Sequence, residues 1–467
     1  MDNILKLSED GKTIIGVNNK SITHITIPEG VTTIGHRVFL GCSALQCIDI
    51  PNSVTTIGYY VFYGCSALQC INVSDDNPNY TSVDGILFNK QLSTIIQFPE
   101  GGNIEVYNIP NSVTTIGYGA FYGCSSLQSI DIPNSVTTIG DGAFYGCSSL
   151  QSIDIPNSVT TIGYLAFSGC SSLQSIDIPN SVTSIGERAF SRCSSLQSIV
   201  IPNSVTKIGD NAFRNCSALQ SINISDDNPN YTSVDGILFN KELSTIIKLP
   251  ERGKIEVYNI PKSITAIEEW AFGGYSALKS INVSDDNPNY TSVDGILFNK
   301  QLSTIIKFPQ GGNIEVYNIP NSVTTIGYGA FYGCSSLQSI DIPNSVTTIG
   351  NSAFWGCSLL QSIDIPNSVK TIGGCAFWGC SALQCIDIPN SVTTIGYGAF
   401  ECCSALKSIH LHWTNVDSFR FIFKDTFGKN NKVNFEECTL YVPPGTRWEY
   451  RHHTVFGQFK NIEIEKQ

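Results

Sequence analysis

The sequence predicts a β-rich repeat solenoid of 23-residue units, each running strand, turn, strand, short helix, with β-hairpins inserted at three places. Three observations carry this reading. The stretch IPNSVTTIGYGAFYGCSSLQSID begins at Ile109, and most of it is written again from Ile132. The proline of the IP pair falls at Pro28 and Pro51, then Pro110, Pro133, Pro156, Pro179 and Pro202, then Pro261, then Pro320, Pro343, Pro366 and Pro389, in steps of 23 within a run. Three steps are 59 instead, and each longer gap holds a near-copy of SDDNPNYTSVDGILFNKQLSTII. A fixed period of this size marks units that cannot bury their apolar faces alone and do so by stacking.

The first strand of a unit is the LQSIDIP segment, in which Ile130 and Ile132 alternate as on a strand with one buried face. Pro133 brings no N–H donor and ends the strand, and PNS is turn chemistry. VTTIG is rich in β-branched residues and reads as a second short strand, closed by Gly140. In AFYGCSSL, residues Ala120, Phe121, Cys124 and Leu127 recur at spacings near three, as on one face of a short helix or 3₁₀ turn.

The inserts near 73–108, 224–259 and 283–318 read as hairpins, with TSVDGILF and STIIQFP as the strands and Asn89 to Leu92 as the turn. Residues 1–24, with LKLSEDGKTIIGV around Asp10-Gly11, read as an N-terminal hairpin cap, 25–409 as the solenoid, and 410–467 as a C-terminal cap. A second level of duplication overlies the first. Residues 73–140 recur at 283–350 with two changes, Gln97 to Lys307 and Glu100 to Gln310.

Composition narrows the function classes. Hydrophobic residues at 42% and charged residues at 14% describe a folded chain rather than a disordered one. The net charge of −12 and the absence of a basic run make nucleic acid a poor partner. No apolar stretch approaches a membrane span. The N-terminal MDNILKLSEDGKTIIGV has no charged head followed by an apolar core, so the protein either stays inside or has had an export signal removed.

The units, written LxxIxIPxSVTxIGxxAFxxCxxL, resemble the BspA-like leucine-rich repeats, also called the Treponema pallidum type, from about Ile25 to about Ile409. The NPNYTSVDGILFNK inserts and the LYVPPGT tail are similar to bacterial members of that family. The resemblance implies a leucine-rich-repeat right-handed superhelix. It also implies a cell-surface or secreted setting and adhesion to protein or glycan on a host or neighbouring cell. An intracellular interaction scaffold is the alternative, favoured by the missing export signal and the many thiols.

Of 17 cysteines, eleven occupy one repeat position: Cys42, Cys65, Cys124, Cys147, Cys170, Cys193, Cys216, Cys334, Cys357, Cys380 and Cys403. Tyr275 takes the twelfth place. This is the slot where leucine-rich repeats seat a small side chain under a turn, so a packing role is expected. Cys47, Cys70 and Cys385 follow ladder cysteines by five residues, which is not a zinc spacing, and the odd total argues against a complete disulfide framework. No cofactor or metal is expected. The six histidines lie in or near the ends and the serines repeat with the period, so no catalytic residue stands out and the chain does not read as an enzyme. The SDDNPNY loops offer oxygen ligands without an EF-hand spacing, and Asx-turn chemistry explains them equally well.

Two columns are candidates for partner contact. The outward position of SIDIP carries Asp131, Asp154, Asp177, Asp341, Asp364 and Asp387, a row of like charges suited to a basic partner or a cation. The residue after the inward phenylalanine gives Tyr122 and Tyr145 in one stretch and Tyr332, Trp355 and Trp378 in another. Such rings offer large, stiff, amphipathic contact area.

Overall fold

The structure is a computed structural model and describes residues 4–415, 421–422 and 433–465. The chain divides into two compact units, one ending at Glu242 and the other starting at Leu243. Each is a stack of short rungs, and each rung supplies two strands to two parallel ladders.

In the first unit one ladder runs from Thr94–Gln97 through Thr115–Ile116, Thr138–Ile139, Thr161–Ile162 and Ser184–Ile185 to Lys207–Ile208. Its isoleucines stand in register, Ile116 on Ile139, Ile139 on Ile162, Ile162 on Ile185. The other ladder holds Val106–Asn108, Ser129–Asp131 and Ser152–Ile153, and bridges Asp154–Asp177 and Asp177–Val200 carry it to the Ser198–Ile201 strand. The N-terminal hairpin pairs Leu5–Leu7 with Thr13–Val17, which then lies parallel to Thr33–Ile34 and so serves as the first rung.

The second unit repeats the arrangement. One ladder runs from Thr304–Lys307 to Phe421–Ile422. The other runs from Val316–Asn318 through Ser339–Asp341, Ser362–Asp364, Cys385–Ile388 and Ser408–Leu411 to Thr439–Val442 and Asn461–Ile464. Trp413 and Tyr450 are buried beneath these last strands, and the Tyr450 hydroxyl donates to the Trp413 carbonyl at 3.0 Å. Residues 416–420, 423–432 and 466–467 of the predicted C-terminal cap lie outside the described residues.

The core is the same set of side chains over and over. In one rung Val136, Ile139, Ala143, Phe144, Cys147 and Leu150 are buried. Within a run the phenylalanines stack one on the next: Phe121, Phe144, Phe167, Phe190 and Phe213 have successive centroids 5.1, 5.3, 5.5 and 5.8 Å apart. A stacked interior removes each ring from water on both faces, which one unit alone could not do.

The predicted short helix is replaced by a chain of three-residue turns. Ala120 N–H donates to Gly117, Tyr122 to Gly119, Cys124 to Phe121 and Leu127 to Cys124. The backbone takes φ +59° at Gly119 and +69° at Gly123, and a left-handed residue ends any helix after a turn. Among the described residues the α-helix is Arg447–His452.

The inserts also differ from expectation. TSVDGILF is two strands rather than one: Tyr80–Val83 folds back on Ile86–Asn89 around Asp84 and Gly85, both at positive φ as a type I′ turn requires. Ile86–Asn89 then pairs antiparallel with Thr94–Gln97, and the Asn89 side chain pins that turn by accepting from Ser93 N and Thr94 N. Each insert is thus a rung with a hairpin attached: the sheet before it ends, as at Thr56–Ile57, and its last strand opens the parallel run that follows, as Thr94–Gln97 does on Thr115–Ile116.

Candidate binding surface

The two predicted columns fare differently. Asp131, Asp154, Asp177, Asp341, Asp364 and Asp387 are all exposed, and the register places Asp154 beside Asp177 and Asp364 beside Asp387. In each unit a histidine reaches an aspartate at this strand position. His24 Nε2 lies 2.9 Å from Asp49, and His412 Nε2 lies 2.6 Å from Asp387 while its Nδ1 is 3.3 Å from Glu465. The Asp49 carboxyl is held below its usual range, chiefly by the Asn72 amide and then by Thr26 and His24. Among the described residues no group of three or more His, Cys, Asp or Glu side chains could hold a metal ion. No helix there is long and apolar enough to cross a membrane.

The aromatic column is half-buried rather than fully outward, because its rings cover one another. Tyr122 and Tyr145 stack with centroids 5.0 Å apart and planes 7° from parallel, and Tyr63 adds a third ring 3.9 Å from Tyr122. In the second unit Tyr332 lies 6.0 Å from Trp355, which lies 4.2 Å from Trp378.

A second set of tyrosines was not singled out from the sequence. Tyr60, Tyr118 and Tyr164 follow the IG pair, and with Tyr63, Tyr122 and Tyr145 they line a cleft of about 300 Å³ in the first unit. The Tyr60 and Tyr118 hydroxyls bond to each other, and the Arg37 guanidinium lies 5.5 Å over the Tyr60 ring. Burial, reinforced by the Tyr63 hydroxyl, holds the Tyr122 phenol far above its ordinary value, and burial raises Tyr60 as well, so both remain neutral. The signal in the sequence is the pair of residues after IG, compared from rung to rung along the stack.

The thiol column is structural. Cys147 donates to the Phe121 carbonyl at 3.1 Å, and Cys170, Cys193 and Cys357 donate to Phe144, Phe167 and Phe331 at 3.2 Å. Each thiol therefore satisfies a carbonyl of the preceding rung. Burial pushes these thiols well above their ordinary value, so they are not nucleophiles and carry no information about compartment. Tyr275 fills the same slot with its hydroxyl accepting from Ile255 N at 2.8 Å. The pair Cys47–Cys70, which the sequence reading did not match, forms a disulfide between register partners on adjacent parallel strands. Cys385 sits in that column with Ser362 and Ser408 as its neighbours, so no thiol stands beside it on the ladder.

The SDDNPNY loops are explained by backbone hydrogen bonding. Asn77 is buried, donates to the Pro51 and Val54 carbonyls at 2.8 and 2.9 Å, and accepts from Asn79 N and Tyr80 N. Asn228 and Asn287 do the same in the other two inserts.

A family model described as the BspA type leucine rich repeat region matches residues 17–101, 97–220, 251–317 and 307–434. Among solved structures, a leucine rich cell surface protein from Faecalibacterium prausnitzii is 31% identical, covering 90% of this chain and 95% of that one at a TM-score of 0.44. A leucine-rich repeat protein from Bacteroides ovatus is 26% identical over 94% and 97% at 0.36, and the pneumococcal vaccine antigen PcpA is 22% identical over 100% and 98% at 0.42. A search of curated proteins gave no match. With family-model matches over most of its length and a ladder that repeats the motif rung after rung, the chain belongs to the BspA type leucine-rich repeat family.

Proposed function

We propose that this protein is a non-enzymatic, adhesin-like binding protein of the bacterial surface, which engages protein or glycan on a host or neighbouring cell through the outer columns of its ladders. The observation that carries the reading is the Tyr332, Trp355 and Trp378 row. Three large rings on successive rungs are left half-exposed at positions where the fold accepts serine at Ser168 and Ser191, so stability of the rung does not require them. Stiff aromatic area of this kind is what binding surfaces use. The exposed aspartate row accepts repulsion between neighbours, and it favours a partner with basic character. The Cys47–Cys70 bond is at home outside a reducing cytosol, which supports the exported setting.

The test has two arms. Protease added to intact cells of the source bacterium should degrade the protein, and beads coated with it should adhere to host or neighbouring bacterial cells. Trp355→Ala with Trp378→Ala should lower adhesion while circular dichroism is unchanged. Protection from protease in intact cells, or adhesion indifferent to the double substitution, would overturn the corresponding half of the proposal.

A further inference from the structure

We infer that the tyrosine cleft of the first unit is a binding site for one unit of a neutral sugar, and this rests on the glycan arm of the function proposed above. The cleft exists because of a gap in a column. The second residue after IG is Arg37, Tyr60, Gly119, Gly142 and Leu165 in five rungs, all with φ between +54° and +61°. Two adjacent rungs lack a side chain there, while Tyr60 and Leu165 stand at either side of them, and the cleft is lined by all four. Two rungs span about 10 Å at ~4.8 Å each, the scale of one sugar ring with part of its neighbour.

The lining chooses the guest. It contains no carboxylate, so a cation finds no counter-charge, and its single cation, Arg37, packs over the Tyr60 ring. It is not a plain apolar slot either, because six phenols bring hydroxyls to it. The Tyr60 and Tyr118 hydroxyls bond to each other, as do those of Tyr63 and Tyr122, but a guest that covers the Tyr145 or Tyr164 hydroxyl must offer a hydrogen bond in return, or that group loses its water without compensation. A neutral sugar meets both demands: its C–H faces lie on aromatic rings and its hydroxyls answer phenols. A phenylalanine or leucine side chain of a protein partner meets only the first.

The duplicated second unit supplies an internal comparison. There the equivalent positions hold Trp270 for Tyr60, Ser352 for Gly142, Trp355 for Tyr145, Gly374 for Tyr164 and Trp378 for Ser168. Ser352 is buried in the gap, the Tyr164 wall is gone, and Trp378 covers the face of Trp355 that Ser168 leaves open on Tyr145. Trp270 still donates to the Tyr328 hydroxyl at 2.8 Å, as Tyr60 bonds to Tyr118, so the closed end is kept while the cleft is altered. The same fold therefore tolerates loss of the cleft, which makes its presence in the first unit a feature of its own.

The experiment is saturation-transfer NMR on the full chain with a panel of neutral tetrasaccharides of glucose, galactose, mannose and N-acetylglucosamine. At least one should give ring-proton signals from the protein. Gly142→Leu fills the gap: a Cβ there meets only Tyr145 Cβ at 3.9 Å, and Leu165 shows that this column accepts leucine at φ +54°. It should weaken binding about tenfold or more. Gly142→Ser, the residue the second unit already uses, is the folding-safe companion and should weaken binding by a smaller factor. The Gly142→Leu loss should be the same in a Trp355→Ala, Trp378→Ala background, which separates this cleft from the ring row of the second unit. If no neutral tetrasaccharide binds, or binding is indifferent to Gly142→Leu, the inference fails. If in that case cell adhesion still depends on Trp355 and Trp378, the proposed function stands without it.

Discussion

Lys248 and Glu251 form an ion pair in the interior of the second unit, with Nζ 3.3 Å from Oε1 and side chains only 7% and 6% exposed, and Lys248 also donates to the Gly273 carbonyl at 2.8 Å. The two other inserts each keep one half of it. The first has Gln97 with Glu100 and the last has Lys307 with Gln310, and these are the two positions that separate the otherwise identical copies at 73–140 and 283–350. A buried charge whose partner is removed is costly, whereas the complete pair is close to neutral.

Glu100 shows the cost. Burial raises its carboxyl to about 7, and its Oε2 has no hydrogen-bond partner. The folded value lies above the unfolded one near 4.5, so the contribution of Glu100 to stability is complete below pH 4.5 and is lost as pH rises through 7. Allowing for the solvent that reaches the group, the loss is about 1–2 kcal/mol. Gln97→Lys should recover it at pH 8 by recreating the Lys248–Glu251 pair, and Gln310→Glu should do likewise for Lys307, whose ammonium is disfavoured by burial. Urea midpoints at pH 5 and pH 8 decide: with Gln97→Lys the drop between the two should shrink, and an unchanged drop would remove Glu100 as its source.

The thiol ladder predicts an order of chemical labelling. Iodoacetamide at pH 8 should modify exposed Cys385 first and leave Cys147, Cys170 and Cys193 untouched until urea opens the stack. Cys170→Ala removes the bond to the Phe144 carbonyl and part of the packing beneath Phe167, and should cost about 1–3 kcal/mol. Mass spectrometry of the labelled peptides reads the first claim. Early labelling of ladder thiols in native buffer would mean that they are not sealed in the core.

Much of this fold was legible because the period repeats the same physics. Pro133, the alternating Ile130 and Ile132, and the Phe121 column each recur with enough copies to average out accident. The helix expectation failed because spacing near three is shared by helices and by successive turns. Only the positive φ at Gly119 and Gly123 distinguishes them, and a glycine alone does not announce its φ. The Asp84-Gly85 hairpin was hidden for the opposite reason, since a strong turn signal was read through as strand. The candidate site was half-read. The acidic and aromatic columns lie on successive rungs as their spacing required, but the cleft depends on residues missing from a column, Gly119 and Gly142, and a pattern of side chains does not show a gap.

Tyr275 and Gly253 should prove to be one unit. Tyr275 occupies the thiol slot, and a Cβ on Gly253 would lie 2.5 Å from its hydroxyl oxygen. Gly253→Ala should therefore destabilise by about 2 kcal/mol. Tyr275→Cys restores the small residue that the other rungs use, so Gly253→Ala with Tyr275→Cys should cost less than the sum of the two single changes. A double-mutant cycle with additive costs would separate the two residues.

The Cys47–Cys70 disulfide should protect its own neighbourhood and little else. It joins residues 23 apart that are already register partners, so its effect is to restrict the open state of the rungs it spans. In the chain-entropy description a loop of this size is worth about 3 kcal/mol. A stack in which each rung touches only its neighbours opens from its ends and passes stability along only by contact, so loss of the bond should be felt near it. Cys47→Ser with Cys70→Ser should speed hydrogen exchange at the amides of Ile48 and Ile71 by about a hundredfold, the equivalent of ~3 kcal/mol, while Ile340 and Ile363 keep their rates. Cys385→Ser, in the same column with serines on both sides, serves as the control and should change neither set. Equal acceleration at Ile48 and Ile363 would show that the chain opens as one cooperative body, and the rung-by-rung account of its stability would have to be given up.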